Sequence, residues 1–219
     1  MVLIGSSRAV RRGSGNILLG REDSPPNTSE LSQKTARKCE VSGRCFSVID
    51  MMGALDAELS QDMADHHTRR CASLCEEGIH AFLLAVPLGA LTDEDKAGME
   101  WLRRSFGERA LAFTMMLFTY EREEEQDTIV DDLKNNTVLE QLLEKCGGRY
   151  HICNNAMNNP SEIAVLLERI DTMLSENAQM CYTWELCNIE KREEQLTPPV
   201  EHCSETDREE PLSGNLQQM

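Results

Sequence analysis

Short apolar runs of strand length recur along the chain, and helical patterns separate most of them. The runs at residues 1–4, 46–49, 81–86 and 113–118 are apolar at successive positions, as expected for strands covered on both faces. This alternation is typical of a parallel sheet with crossover helices. Two shorter runs flank Ser42-Gly43, which predicts a hairpin and therefore one antiparallel edge strand.

Four segments between or after these runs have helical character. In NPSEIAVLLERIDTMLSEN the apolar residues fall on one helical face, and Asn159-Pro160 supplies an N-cap and a first position. A second helix is predicted from Thr92, and a third ends before Gly147-Gly148. A fourth, less regular helix is predicted over residues 57–76.

The order of these elements predicts an α/β fold. We expect a Ras-like P-loop G domain, with a mostly parallel six-stranded sheet flanked by helices, over residues 1–187. From residue 188 the periodicity stops and the composition becomes polar, acidic and proline-containing. Residues 188–219 are therefore predicted to form a disordered acidic tail.

Charge and cysteine usage limit the class of protein. The formal net charge is −16, which argues against tight binding to nucleic acid or to an anionic membrane surface, because basic patches drive both. The longest apolar runs are too short to span a bilayer. Nine cysteines, with no paired CxxC spacing and no signal peptide, fit reduced thiols in the cytoplasm. Cys71 and Cys75 are expected to be buried thiols.

Candidate nucleotide-binding elements follow the predicted strands, where a G domain places them. The first run is followed by GSSRAVRR, which has the layout of a phosphate-binding loop without its Lys-Ser/Thr ending. Asp50 and Gly53 fit a D-x-x-G element, in which Asp holds Mg²⁺ through water. Thr119 begins the segment where a base-reading motif is expected, and Asn154 begins the last such loop.

At this point the chain resembles the GTPases of immunity-associated proteins, the IMAP GTPases of the avirulence-induced type. The matching text is GNILLG after the loop, GIHAFLLAVPLGALTDEDKAGMEWLRRSFGERAL in the middle and LLEKCGGRYHICNN near the end. The resemblance covers nearly all of residues 2–187. It implies a domain that binds GTP or GDP, hydrolyses GTP slowly and assembles with itself or with related IMAP GTPases through the nucleotide face.

The resemblance also assigns roles to particular positions. Thr35 and Asp50 are the candidate Mg²⁺-binding residues, with Thr35 as the switch-one threonine. The predicted phosphate-binding and base-binding residues are, respectively, Gly5, Ser6, Ser7, Arg8, Arg11, Arg12 and Gly53, and Thr119, Tyr120, Asn154 and Asn155.

Several residues depart from the family pattern. Val10 stands where a glycine lets the backbone approach phosphate, and Arg11 replaces the lysine with a longer, planar cation. Arg12 offers a cation where Mg²⁺ needs an oxygen ligand. Arg122, which only donates hydrogen bonds, stands where an acid reads guanine, although Glu123 could substitute. We therefore expect weak or no Mg²⁺ binding, no catalytic residue and at most a very slow GTPase.

Two functions remain open at this point, with a third possibility beside them. The first is a GTP-binding domain with little or no turnover. The second is a pseudo-GTPase, an interaction scaffold that binds no nucleotide and docks on intact relatives. The third is a truncated or divergent product with no independent role, since the first strand begins at Met1.

Overall fold

The computed structural model describes residues 1–5, 18, 36–51, 61–75, 77–87, 93–120, 137–154, 160–178 and 180–189. The strands are β1 (Val2–Gly5), β2 (Arg37–Val41), β3 (Arg44–Asp50), β4 (Phe82–Pro87), β5 (Thr114–Tyr120) and β6 (Tyr150–Asn154). The helices are α1 (Gln61–Leu74), α2 (Asp93–Phe106), α3 (Thr137–Lys145) and α4 (Pro160–Glu176), with a 3-10 helix at Glu108–Phe113.

The six strands form one sheet in the order β2-β3-β1-β4-β5-β6. β1 pairs parallel with β3 and β4, and β5 pairs parallel with β4 and β6. β2 pairs antiparallel with β3 through a two-residue turn, in which Ser42 and Gly43 have φ of 53° and 76°. Two positive φ values indicate a type I′ turn, which suits the twist of the strands. The predicted hairpin and the mostly parallel sheet are confirmed.

The sheet is covered on both faces by apolar clusters. Successive strand residues point to opposite faces and so belong to different clusters. Ile4 of β1 belongs to an apolar cluster that also contains Leu102 and Phe106 of α2. Its neighbour Leu3 belongs to a second cluster with Ile163 of α4. This two-sided burial explains why the central strands read as continuous apolar runs rather than as alternating ones.

The predicted helices are present, with small shifts at their ends. α4 begins at Pro160 and runs to Glu176, as its periodicity indicates. α3 ends as predicted: Gly148 N–H donates to the Leu143 carbonyl at 2.7 Å, and Gly147 has a φ of 62°. α1 is shorter than its prediction within the described residues, and Thr92 lies outside them.

Strand ends differ from the predictions by one or two residues. Phe113 belongs to the 3-10 helix, so the predicted strand start at this residue is wrong. Gly5, Thr119 and Tyr120 lie inside strands rather than after them. These residues stay in their strands because they pair with neighbouring strands. Gly5 pairs with Ala85 of β4, and Thr119 and Tyr120 pair with residues of β4 and β6.

A segment after α4 returns to the core. Ile79 and Tyr182 form an antiparallel bridge, and residues 184–189 are helical. Cys187 is fully buried, so the folded part reaches at least this residue. Residues 190–219 lie outside the described residues, and the disordered tail stays a prediction. Within the described part of the chain, no helix has the length and apolar character to cross a bilayer.

Candidate functional site

The carboxyl ends of the parallel strands meet at one edge of the sheet, and four of the predicted site positions lie there. Gly5 ends β1, Asp50 ends β3, Tyr120 ends β5 and Asn154 ends β6. In open α/β sheets, ligands bind outside this edge. The topology thus gathers candidate phosphate, metal and base positions along a single edge.

The candidate base-binding strand ends are direct neighbours. Tyr120 of β5 pairs in register with Asn154 of β6, and Thr119 pairs with Cys153. Neighbouring strands lie about 4.8 Å apart, so two segments that are distant in sequence are brought together. The backbone at Tyr120 and Asn154 therefore defines one end of the candidate site.

The other end is formed by β1 and β3. Leu3 pairs with Asp50, and β1 continues for two more residues to Gly5. Gly5 is buried and pairs with Ala85 of β4. The chain therefore leaves the centre of the sheet at Gly5, where the predicted phosphate-binding loop begins.

The side chains of the predicted base-binding pair on β5 are buried. Thr119 is 4% exposed and Tyr120 is 7% exposed. They close the core beneath the edge of the sheet, and their contact with a base stays a prediction.

For the other predicted site residues, the structure describes either the backbone alone or nothing. The side chains of Asp50 and Asn154 are not described. The predicted residues that lie wholly outside the described part of the chain are Ser6, Ser7, Arg8, Arg11, Arg12, Thr35, Gly53 and Asn155. Their roles stay predictions based on sequence position.

Of the two predicted Mg²⁺-binding residues, Asp50 ends β3 at this edge and Thr35 lies outside the described residues. Among the residues that the structure describes, no group of three or more His, Cys, Asp or Glu side chains could hold a metal ion. A Mg²⁺ ion at Asp50 would need further oxygen donors, and Arg12 supplies none. Weak or absent Mg²⁺ binding stays a prediction from the sequence.

A thiol pair that the sequence analysis did not connect with reactivity lies at the opposite end of β1. Cys71 is fully buried, and Cys75 is partly buried. The hydrogen bond from Cys71, against the opposing effect of burial, lowers the pKa of Cys75 to about 7, and the nearby amino group of Met1 contributes. The spacing of four residues between Cys71, near the end of α1, and Cys75, just after it, is the sequence signal for contact between the two thiols. It gives no information on the amino group of Met1 beside Cys75. This pair is remote from the candidate nucleotide edge.

A buried histidine is the second residue of β6. His151 is 6% exposed and lines a small cavity with Leu18, Leu117 and Ile163. Burial, with a smaller contribution from Arg169, lowers the pKa of His151 to about 4. The imidazole is therefore neutral at pH 7 and lines the cavity between the sheet and α4. The apolar pattern of β6 did not indicate this.

Comparison with protein families and curated proteins gives consistent matches. The family model described as AIG1 family matches residues 1–201. The chain is 26% identical over 198 residues to immune-associated nucleotide-binding protein 9 of Arabidopsis thaliana, covering 85% of this chain and 58% of that protein. It is 32% identical over 167 residues to GTPase IMAP family member 8 of Mus musculus, covering 71% of this chain and 24% of that protein. The chain thus spans less than two thirds of each of these relatives.

Solved structures show the same fold at low sequence identity. Toc33 from Arabidopsis thaliana in complex with Mg²⁺ and GMPPNP matches with a TM-score of 0.51 and 13% identity, covering 80% of this chain and 83% of that one. A structure from work on dimerisation and GTPase activity of the chloroplast translocon components atToc33 and psToc159 matches with a TM-score of 0.52 and 13% identity, covering 78% and 81%. The predicted Ras-like G-domain fold is confirmed.

Proposed function

The chain belongs to the AIG1 family of GTP-binding G domains, and from that premise we propose that it binds GTP or GDP with very slow or no hydrolysis. The observation that carries this proposal is the edge of the sheet, where Gly5, Asp50, Tyr120 and Asn154 end four strands. This is the topology that holds phosphate at one end of a G-domain site and the base at the other.

The phosphate end is expected to bind without much help from Mg²⁺. Backbone N–H groups after Gly5 and the cation of Arg11 would hold phosphate oxygens. Arg12 supplies a second positive charge but no metal ligand. Bound Mg²⁺ would neutralise phosphate charge, and here that task falls mainly to the two arginines. No residue of the sequence presents itself as a base for the attacking water.

The base end is expected to be held by the loops that follow β5 and β6. Tyr120 and Asn154 are paired neighbours, so the residues after them leave the sheet side by side. Asn154 and Asn155 provide amide groups for hydrogen bonds to a base. Glu123 is the candidate acid for guanine in place of Arg122.

The same edge is the proposed surface for assembly with a second copy or a related IMAP GTPase. A matching structure comes from work that describes dimerisation as important for the GTPase activity of atToc33 and psToc159. Family membership and the shared fold support a corresponding nucleotide-dependent contact here.

Thermal unfolding of the purified chain with GTP, GDP and ATP, each with Mg²⁺ and with chelator, tests nucleotide binding. A ligand at 100 times its Kd adds about 2.7 kcal/mol, which raises the midpoint by several degrees. We expect this rise with guanine nucleotides, little changed by chelator. Asn154→Ala should reduce it, whereas Asn188→Ala, in the helical segment after α4, should not.

The second candidate function is a pseudo-GTPase scaffold. It is favoured by Val10 and Arg12 in the phosphate loop and by the burial of Thr119 and Tyr120. An unchanged midpoint with every nucleotide at millimolar concentration would reject the binding proposal.

A further inference from the structure

The outer edge of β2 has main-chain groups available for pairing with another strand. β2 lies at the end of the sheet, where β3 is its only partner among the described strands. Val41 and Arg44 flank the two-residue turn, and such a pair exchanges hydrogen bonds. Hydrogen-bonded and non-hydrogen-bonded pairs then alternate along the ladder. The N–H and C=O groups of Lys38 and Glu40 therefore point away from β3.

The side chains of these two residues make the edge complementary to itself. Lys38 and Glu40 are both exposed, and Cys39 lies between them. If two copies of β2 meet in antiparallel orientation with Cys39 opposite Cys39, each Lys38 faces Glu40 of the other copy. Lys38 and Glu40 are then hydrogen-bonded pairs across the two copies. The register that forms the main-chain hydrogen bonds therefore also places opposite charges together.

The hairpin that carries this edge is fixed to the body of the domain. Both guanidinium nitrogens Nη1 and Nη2 of Arg44 donate to the carboxylate of Asp171 on α4, each at 2.8 Å. On the inner face of β2, Cys39 Sγ donates to the Leu18 carbonyl at 3.4 Å. A rigid strand loses little conformational entropy when it pairs.

The opposite edge of the sheet differs. There Arg169 of α4 donates to the Tyr150 carbonyl of β6 at 2.7 Å. That carbonyl group already has a hydrogen-bond partner. The segment HIC in β6 also has no pair of opposite charges at alternate positions. The self-complementary feature therefore belongs to β2.

We propose that the outer edge of β2 pairs with the β2 edge of a second copy of this chain, in antiparallel register centred on Cys39. The interface runs along the outer side of β2, with Lys38 opposite Ser47 of β3 and Glu40 opposite Cys45, and the pairing is expected in the absence of nucleotide. Exposed edge strands commonly carry charges that prevent pairing. Here Lys38 and Glu40 attract in the self-paired register instead of repelling.

Sedimentation of the full chain, without nucleotide and with chelator, tests this interface. The range from about 10 µM to about 1 mM is needed because a small interface binds weakly. We expect a monomer–dimer equilibrium that is weakened about tenfold or more by Lys38→Glu or Glu40→Lys, since each puts like charges opposite one another twice. Glu144→Lys, the same substitution as Glu40→Lys at an exposed position of α3, is the matched control for that variant and should have no such effect.

Mixing experiments identify the register. The Lys38→Glu and Glu40→Lys variants should associate with each other, because every cross-strand pair is then of opposite charge. A doubly exchanged variant, Lys38→Glu with Glu40→Lys, should dimerise with itself but not with the wild type. This variant keeps the wild-type composition, so it still decides the question if a single variant folds poorly.

Three results would overturn the proposal. These are a wild-type chain that stays monomeric to the top of the concentration range, a Glu40→Lys variant that associates as well as Glu144→Lys, and free mixing of the doubly exchanged variant with the wild type. Because nucleotide is absent throughout, none of them bears on GTP binding.

Discussion

At the scale of single residues, burial decides the chemistry of the titratable groups around the sheet. Cys146 and Cys153 are buried, and desolvation raises the pKa of each thiol to about 12. Cys75 differs because a neighbouring thiol and an amino group stabilise its thiolate. Of these three thiols, Cys75 is therefore the most readily ionised.

His151 gives a prediction about pH. Its pKa in the folded state is about 4, below the value of about 6.5 for an unfolded chain. Between these values the unfolded state binds the proton and the folded state does not, so stability is complete above pH 6.5 and falls as the pH approaches 4. The loss attributable to His151 should reach about 3 kcal/mol.

Urea unfolding of the His151→Leu variant between pH 7.5 and pH 4 measures that contribution. The leucine cannot titrate, so the free energy of unfolding of the variant should fall less steeply with acidification than that of the wild type. Exposed His66, changed to Gln, is the control. Equal slopes for the His151→Leu variant and the wild type would show that His151 is not the group responsible.

At the scale of elements, the segment after α4 completes the core beneath α2. Tyr182 is 1% exposed, and its ring lies 5.4 Å from that of Phe82 and 6.0 Å from those of Phe106 and Phe113. Its hydroxyl donates to the carbonyl of Phe106, at the end of α2. One side chain thus joins β4, α2 and the 3-10 helix to the segment after α4.

Truncation of Tyr182 should therefore destabilise the whole domain. Tyr182→Phe removes the hydroxyl and leaves a buried carbonyl without this donor, which should cost about 1 to 2 kcal/mol. Tyr182→Ala also removes the ring and should cost about 3 to 5 kcal/mol. Urea unfolding measures both, and Met180→Ala, at a 57% exposed position nearby, should stay within about 0.5 kcal/mol of the wild type. If Tyr182→Ala also stays within that range, the segment is not part of the cooperative core.

Elements whose signals are local were predictable from the sequence. The apolar face of α4, the glycines after α3 and the turn at Ser42 each act within a few residues, and these elements were found. The extent of β5 was not, because Thr119 and Tyr120 remain in the strand only through pairing with Pro87 and Asn154 of its neighbours. Propensity along one segment does not contain that information.

At the scale of the whole molecule, the sequence predicted which strand ends share one edge of the sheet, but not the burial or the charge state of the side chains near them. The strand order brings the ends of β1, β3, β5 and β6 to one edge, as alternating strands and helices indicate. The burial of Tyr120 and the neutral state of His151 depend on side chains from distant segments, so no local pattern revealed them. Phosphate binding by the loop is expected to depend on Val10, Arg11 and Arg12.

Those three residues give the last prediction. Changing Val10→Gly, Arg11→Lys and Arg12→Ser together restores the phosphate-loop ending, with a permissive glycine, a compact cation and an oxygen ligand for Mg²⁺. If the wild-type loop already binds, the midpoint shift with GTP should be nearly the same in both proteins, with a new dependence on Mg²⁺ in the variant. In a pseudo-GTPase, only the restored variant should shift.

The matched control is Arg104→Ser, which removes an exposed arginine of α2 that pairs with Glu100 and changes no residue of the loop. It should leave the response to nucleotide as in the wild type. If neither the wild type nor the restored variant responds to GTP, the phosphate loop is not what limits binding. The defect must then lie at the base end, where Arg122 stands in place of an acid, and Arg122→Asp added to the restored loop should produce the shift.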